Sequence, residues 1–478
     1  MSDIVLVNVP FNRKQKLEPE EQRYFDVYEE VTYSGFDDDV KRSYSAYRDR
    51  LDEYFGSSSL RVYDVPEIPI WVTGLSGVLG AGGIDHELLD MNADKMGESQ
   101  LPYKLKKTCG RVFLLSSFTN NADNAAYAAS VIKQTMGGDA VVIYGGHHAT
   151  FRAEETLENP DFDIVVRNEG EGTLPEVLDY VMSGKSLDGI AGITYRHDKT
   201  IISNPNRPLI RDLGTLPPQN VGILPNIYKL NFYGRVFTSR GCPNNCSFCA
   251  ETMWNHRKPR FFPLDRALED VDQALTEMDV KYLFINDENF VMNRDFSAEL
   301  ARKLAGYDIP WSCQTRVDLV DEGLFKTMRE SNCRGIFFGA ESGSQRVLDR
   351  NNKRITLAQT RKACEIAKRS GLQVNTNWLV GLAGETHESA MQTIEMAEDL
   401  LARRLTDRVE YYIAVPYPGS PLNERPDEFG ITLRDIPYSE YREDRPSVIS
   451  TEELGYMDIF HIWKEGLERL AVGMERNL

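Results

Sequence analysis

Thr238-Ser239-Arg240-Gly241-Cys242-Pro243-Asn244-Asn245-Cys246-Ser247-Phe248-Cys249 puts three thiols on one short loop, directly after an apolar strand at Arg235–Thr238. The spacing is Cys-x3-Cys-x2-Cys. Three thiolates on such a loop can hold three irons of a cubane cluster and leave the fourth open to another molecule. Thiolate chemistry suits iron–sulfur clusters and zinc alike. The alternative is a structural zinc site with His256 as fourth ligand, but structural zinc usually pairs Cys-x2–4-Cys with a second distant pair, which is missing here. The remaining four of the seven cysteines (109, 313, 333 and 364) are scattered. An odd count with three crowded together reads as a ligand set, not a disulfide framework.

Working outward, strands recur after the loop at Tyr282–Asn286, Trp311–Thr315, Gly335–Gly339, Gln373–Leu379 and Glu410–Ala414. Amphipathic helices fall between them at Leu264–Met278, Ser297–Leu304, Glu322–Glu330, Leu357–Ser370 and His387–Ala402. About six β/α units are too few for a closed eight-fold barrel, so an open, partial barrel is expected, with its working groups at the carboxyl ends of the strands. A turn-rich bridge, Asn204–Pro208 to Leu216–Pro218, precedes this half. Upstream, strands at Ile4–Val9, Leu88–Met91, Val112–Ser116, Ala140–Tyr144 and Ile164–Val166 alternate with helices, clearest at Ala122–Met136 and Leu174–Met182. That pattern implies a second parallel sheet with both faces covered. The expected fold class is thus α/β. A Rossmann-like domain spans 1–205, the partial (β/α)6 barrel 206–425, and a helical extension 426–478. Residues 12–60, rich in Tyr, Asp, Glu and Arg, read as a helical insertion on the surface, either a solvated excursion or a lid. The final helix, 452–478, has no assigned packing partner.

The 478 residues are 41% hydrophobic and 27% charged, with a formal net charge of −18. An acidic sum argues against broad nucleic-acid binding and against an anchor on anionic lipid. The start, Met1 to Pro10, reads as a buried strand and not a signal peptide. No stretch nears the roughly 18 apolar residues of a membrane helix. A cytoplasmic protein without nucleic-acid or membrane partners is expected.

The cysteine loop, with Phe248 before the third cysteine, resembles that of the radical S-adenosylmethionine superfamily. The resemblance implies that Cys242, Cys246 and Cys249 hold a 4Fe–4S cluster, whose open iron chelates S-adenosylmethionine, and that a low-potential donor of flavodoxin or ferredoxin type delivers the electron that cleaves it. It extends through the barrel. Asn286-Asp287-Glu288-Asn289 ends the second strand, where the family binds the methionyl ammonium, and Asp287 or Glu288 suits that charge. Gly339-Ala340-Glu341-Ser342-Gly343 is similar to the strand-four motif, with Glu341 and Ser342 toward the ribose or amino group. Asn377-Trp378-Leu379-Val380-Gly381-Leu382-Ala383-Gly384-Glu385 is similar to the strand-five motif, with Asn377 facing the ribose and Ala383 where proline is common. Phe248, Asp287, Glu288, Glu341, Ser342 and Asn377 are thus the candidates for S-adenosylmethionine.

The N-terminal half resembles the cobalamin-binding domain attached to one branch of that superfamily. Its strand ends carry Ser116-Ser117-Phe118-Thr119, Gly145-Gly146-His147-His148-Ala149-Thr150 and Glu169-Gly170. Glycines there let backbone approach a bulky planar ligand. The candidates for cobalamin are Trp71, Ser116, Ser117, Thr119, Gly145, Gly146, His147, Thr150, Glu169 and Gly170. The Asp-x-His-x-x-Gly pattern that supplies a lower cobalt ligand elsewhere is missing. The matching loop is Pro69-Ile70-Trp71-Val72-Thr73-Gly74, with Trp71 in the histidine's place. Indole offers a metal no lone pair, so Trp71 is expected to shield that face or to serve as core packing. Gly77–Gly83 precedes a strand instead of following one, so it is no dinucleotide fingerprint. The adjacent His147 and His148 are poorly placed to share an ion.

The resemblance implies a methyltransferase in which cobalt relays a methyl group from one S-adenosylmethionine to an unactivated carbon, after a second molecule yields the radical that removes hydrogen. Oxidative cyclisation or rearrangement with the same cofactors stays open, as does a degenerate cobalamin module. A methylthiotransferase would need further cysteines in the N-terminal half, which has only Cys109. The substrate is expected to be a small secondary metabolite, recognised by residues 12–60, Met253–Phe262 and the segment after Tyr417. Arg257, Lys258 and Arg260 either meet an anionic group or lie solvated on the surface.

Overall fold

The computed structural model describes residues 2–10, 19–34, 66–93 and 100–476, together with 38, 40–42, 44 and 45. The N-terminal sheet has seven strands: β1 Ile4–Asn8, β2 Glu87–Asp90, β3 Val112–Ser116, β4 Val141–Gly145, β5 Ile164–Val166, β6 Ile193–His197 and β7 Thr200–Ser203. Their order is β2-β1-β3-β4-β5-β6-β7. The first five run parallel, and β6 and β7 are antiparallel. The buried runs Val5–Val7 and Val142–Tyr144 carry apolar side chains on both faces, as a sheet covered on both sides requires. Chain order reverses between β1 and β3, and a crevice opens at the carboxyl ends there, the usual ligand position in open α/β sheets. The hairpin β6–β7 was absent from the sequence expectation.

The second sheet contains β8 Tyr233–Val236, β9 Tyr282–Ile285, β10 Trp311–Arg316, β11 Cys333–Glu341, β12 Gln373–Val380 and β13 Arg408–Ile413. They lie in simple sequential order and every pairing is parallel. All six expected barrel strands are therefore present, in an open (β/α)6 arrangement. Four of the intervening helices start at side-chain caps, at Asn293, Asp321, Thr356 and Thr386. Thr356 caps Leu357–Arg369 through Gln359, and Thr386 caps His387–Ala402 through Ser389, each satisfying backbone N–H groups otherwise unpaired at a helix start.

Two terminal helices close the β13 edge. Helix α1, Pro19–Ser34, buries Tyr24, Val27, Tyr28 and Val31, the i, i+3, i+4, i+7 positions of one face. Tyr28 Oη donates to Glu410 Oε1 (2.5 Å), and Arg408 Nη1 donates to Thr32 Oγ1 (2.7 Å). The last helix, Tyr456–Glu475, lies against the same strand, with Trp463 Nε1 donating to Tyr411 O (2.9 Å). Gly466 permits that approach, because a Cβ there would lie 2.3 Å from the Tyr411 ring. The part of 12–60 that is described is thus docked packing and not a solvated excursion; residues 11–18, 35–37, 39, 43 and 46–60 of that stretch and its margin lie outside the described residues. No helix among the described residues is long and apolar enough to cross a membrane.

Candidate active site between the two sheets

Gly241 opens the cysteine loop at φ +88, and a Cβ there would stand 2.8 Å from Asn255 Cβ and 2.9 Å from Lys258 O. Only glycine suits a position that needs both a left-handed backbone and so close an approach. The loop is pinned on both sides. Asp287, 1% exposed, accepts from the backbone N–H groups of Thr238 (2.6 Å) and Ser239 (3.0 Å) through Oδ1, and from both hydroxyls (2.6 and 2.7 Å) through Oδ2. Ser247 N donates to Asn351 O (3.0 Å), and Leu422 N donates to Ser247 O (2.9 Å). Asp287 is therefore a girder of the loop. It was expected to meet a ligand's ammonium, but all its acceptor positions are already filled.

Cys246 lies within reach of the charge of Cys242, and Cys249 within reach of those of Cys246 and Cys242. Burial pushes Cys249 up to about 12, with Glu251 and Cys246 adding to the rise. Burial raises Cys246 too, against the pull of the Lys353 and Arg316 cations. Buried thiols of this kind ionise when a cation compensates them, which fits a metal cluster. Arg316 Nη1 stands 3.8 Å from Cys246 Sγ, placed to balance an anionic thiolate cluster. His256, which a zinc site would need, is exposed. Among the described residues no three His, Cys, Asp or Glu side chains converge to hold a single ion.

Around the loop the barrel's strand ends supply polar groups. Lys353 Nζ and Glu341 Oε1 form a buried pair at 2.6 Å. Glu341 sits at φ +66 beyond a register shift in β11. A non-glycine residue in that region is strained and held by its surroundings, a frequent mark of a working position. A Cβ on Gly339 would meet Glu341 Oε1 at 2.4 Å. Asn377 Oδ1 is buried without a hydrogen-bond partner. A buried acceptor left open costs free energy, and a ribose hydroxyl would satisfy it. Glu288 Oε2 accepts from Gly241 N (3.0 Å). Burial, then the charge of Glu251, pushes Glu288 up to about 8. Ser342, expected near the ligand, is fully buried and instead bonds Thr393 Oγ1 (3.1 Å) and accepts from Ser344 N. Phe248 packs against Ala383 and Leu382, with Lys353 over its ring at 5.9 Å.

Facing this loop is the crevice of the first sheet. Trp71, Ser116, Ser117, Gly145, Gly146, His147, Glu169 and Gly170 all line a cavity of about 540 Å³ that Asn286, Glu288 and Gln314 of the barrel also line. Trp71 lies in the first turn of a helix, Ile70–Ala81, not on the expected loop, and three glycines had concealed that helix. Gly146, at φ +95, has no room for a Cβ, which would lie 2.6 Å from Ser116 Oγ. Two candidates stand behind the wall. Thr150 Oγ1 donates to Gly146 O (2.9 Å) and accepts from Asn168 N (2.8 Å), and Thr119 is buried in the turn after β3.

Glu169 does more than line the cavity. Its side chain is 4% exposed and binds Arg240 (2.8 Å) and Arg260 (2.8 Å) of the barrel half. Burial alone would raise it, but the hydrogen bonds and charges of Arg260 and Arg240 hold it below the usual carboxylate range. Arg260, expected to meet an anion or lie solvated, is mostly shielded in this ion pair, its side chain 9% exposed, whereas Arg257 and Lys258 are exposed. Sequence reasoning missed Arg316, Lys353 and Arg240. Arg316 carried a usable signal, because it closes a barrel strand at its carboxyl end.

The B12 binding domain family matches residues 60–178, and the Radical SAM superfamily matches residues 236–397. An uncharacterized methyltransferase, PH0819, of Pyrococcus horikoshii is 32% identical over 346 residues, 71% of this chain and 74% of that protein. The anaerobic magnesium-protoporphyrin IX monomethyl ester cyclase of Rubrivivax gelatinosus is 29% identical over 389 residues, 78% of this chain and 68% of that protein. The solved radical S-adenosylmethionine methyltransferase TsrM from Kitasatospora setae, with cobalamin and a 4Fe–4S cluster bound, superposes with a TM-score of 0.66 at 15% identity, covering 92% of this chain and 81% of that one.

Proposed function

Because this chain belongs to the cobalamin-dependent methyltransferases of the radical S-adenosylmethionine superfamily, and so works with a 4Fe–4S cluster, S-adenosylmethionine and cobalamin, we propose that it methylates an unactivated carbon of a small secondary metabolite. The supporting observation is a cavity walled by both sheets, in which the crevice beside Trp71, Gly145 and Gly146 faces Glu288 and Gln314 of the barrel. A substrate carbon held between the two walls would be within reach of both cofactors.

When bound, the cluster and S-adenosylmethionine supply a hydrogen-abstracting radical, and the corrin supplies the methyl group. Cys242, Cys246 and Cys249 would hold the cluster, with Arg316 offsetting its negative charge. Lys353 fixes the Glu341 carboxylate for the adenosyl ribose or the amino group, and Asn377 Oδ1 would accept from a ribose hydroxyl. Glu288 would take the methionyl ammonium in place of Asp287. Ser116, Ser117, Gly145, Gly146 and Gly170 give the backbone approach a corrin needs. Trp71 would pack against the corrin, and its indole offers the metal no ligand. The electron would come from a low-potential flavodoxin or ferredoxin.

A second reading, oxidative cyclisation with the same cofactors, draws on the cyclase relative, whose similarity spans 78% of this chain. One experiment separates them. The anaerobically reconstituted enzyme is given methyl-labelled S-adenosylmethionine and a metabolite extract. S-adenosylhomocysteine and 5′-deoxyadenosine in equal amounts, with label in a product, support methylation. Deoxyadenosine accompanied by an unlabelled product two hydrogens lighter supports cyclisation and sinks the methylation reading.

A further inference from the structure

The walls of the cavity belong to different sheets, and something must fix their spacing. Arg240 and Arg260 bracket the cysteine loop and pair with each other in a short antiparallel ladder. From the carboxyl end of β5, Glu169 accepts from Arg240 Nη1 (2.8 Å), from Arg260 Nη1 (2.9 and 2.8 Å) and from Ile210 N (2.8 Å). Glu171 accepts from Arg240 Nη2 (2.6 Å). The network then continues inside the barrel half. Arg260 Nη2 donates to Asn255 Oδ1 (2.7 Å), and Asn255 Nδ2 donates to Glu251 Oε2 (2.7 Å). It returns to the first half where Glu251 Oε1 meets His147 Nε2 at 2.8 Å, beyond the end of β4. His147 also stacks on Trp254, centroids 4.1 Å apart. The cysteine loop is thus tied to the corrin-facing loops at two separate points.

We propose that Glu169 and His147 are positioning residues of an interdomain clamp that sets the distance between the corrin and the cluster, and are not themselves corrin ligands. The inference rests on the reading that both cofactors share the cavity. A buried carboxylate with two arginines resists displacement far more than exposed pairs do. Reactions that pass a group between two centres lose efficiency steeply when the centres move apart.

The test uses full-length enzyme reconstituted anaerobically with iron, sulfide and cobalamin, then reduced so that cobalt(II) and the cluster are both paramagnetic. Microwave power saturation of the cobalt(II) signal reports how near the cluster lies. Iron and corrin are counted on the same samples. Glu169→Gln keeps size but removes the charge, and His147→Leu cuts the second tie at a site only partly exposed. Both should keep their iron and corrin, show a weaker relaxation enhancement than wild type, and form more deoxyadenosine per S-adenosylhomocysteine, by roughly 10- to 100-fold for a shift of about 1 Å. His147→Gln, which retains a donor toward Glu251, should restore both readouts. Wild-type relaxation in fully loaded Glu169→Gln and His147→Leu overturns the proposal, as does failure of Glu169→Gln to bind corrin while His147→Leu behaves as wild type. Absence of enhancement in wild type would instead overturn the shared-cavity reading.

Discussion

Replacing Asp287 by Asn separates two roles for this carboxylate. As a ligand for the S-adenosylmethionine ammonium, its loss would raise KM and leave stability alone. As a girder of the cysteine loop, its loss would do the reverse. The four hydrogen bonds to Thr238 and Ser239, 2.6 to 3.0 Å long, decide for the girder. Hydrogen bonds to a charged group contribute about 1.5–3 kcal/mol each, against about 1 for neutral ones. Asn keeps an oxygen for the two backbone N–H groups, and the hydroxyls can turn to face its amide nitrogen. The loss is then the charge assistance, roughly 0.5–2 kcal/mol at each of the four bonds; relief of the buried charge, whose burial pushes the Asp287 carboxyl up, offsets part of it and leaves about 2–4 kcal/mol. At about 2–4 °C per kcal/mol for a half of this size, the melting temperature of the metal-free enzyme should fall by roughly 4–16 °C. Anaerobic calorimetry measures that fall, and the deoxyadenosine assay gives KM for S-adenosylmethionine on the reconstituted remainder. An unchanged melting temperature together with a KM raised by about tenfold or more (1.4 kcal/mol of lost binding) would refute the argument.

The helix Ile70–Ala81 offers a paired test of packing. Gly77→Ala would set a Cβ 2.2 Å from Pro218 O, whereas Gly80 has nothing within 4 Å. Gly77→Ala should therefore destabilise by about 1–3 kcal/mol and Gly80→Ala should stabilise by about 0.4–1 kcal/mol, with melting temperatures as the readout. Burial pushes the Glu385 carboxyl up from 4.5 to about 8, so the folded state holds that proton more tightly than the unfolded chain does. Stability from this group is full below about pH 4.5 and is lost as pH rises through about 8. Melting temperature plotted against pH should fall across that window in wild type and flatten in Glu385→Gln; parallel curves would refute the assignment. Lys353→Met should strand Glu341 in its buried site and destabilise by about 3–5 kcal/mol, measured by chemical denaturation of the metal-free protein.

Much of the fold was legible because its signals are local. The thiol spacing at 242–249 and the apolar runs of the barrel strands are readable within a few residues, and the helices between them are amphipathic. The helix at Ile70–Ala81 was hidden by Gly74, Gly77 and Gly80, which read as loop, although one of them is needed for close packing on the linker. Helix α1 carried a readable signal in Tyr24, Val27, Tyr28 and Val31, obscured by charged neighbours. Hairpin β6–β7, with strands of five and four residues, was too short for its pattern to be read. At the site, identities of candidate residues followed from strand ends, but the division of labour among them did not. Glu169 and Arg260 are separated by 91 positions in the chain, and the occupied lone pairs of Asp287 are a matter of three-dimensional geometry. No local pattern distinguishes a carboxylate open to a ligand from one consumed by its own fold.

The most direct test of the whole account is a count of cofactors on a single chain. Anaerobic reconstitution should give about four irons and one equivalent of corrin per chain, and Cys246→Ala should abolish the iron and deoxyadenosine formation while corrin stays bound. Iron retained by Cys246→Ala, or a wild-type protein that takes up the metal and never the corrin, would contradict it.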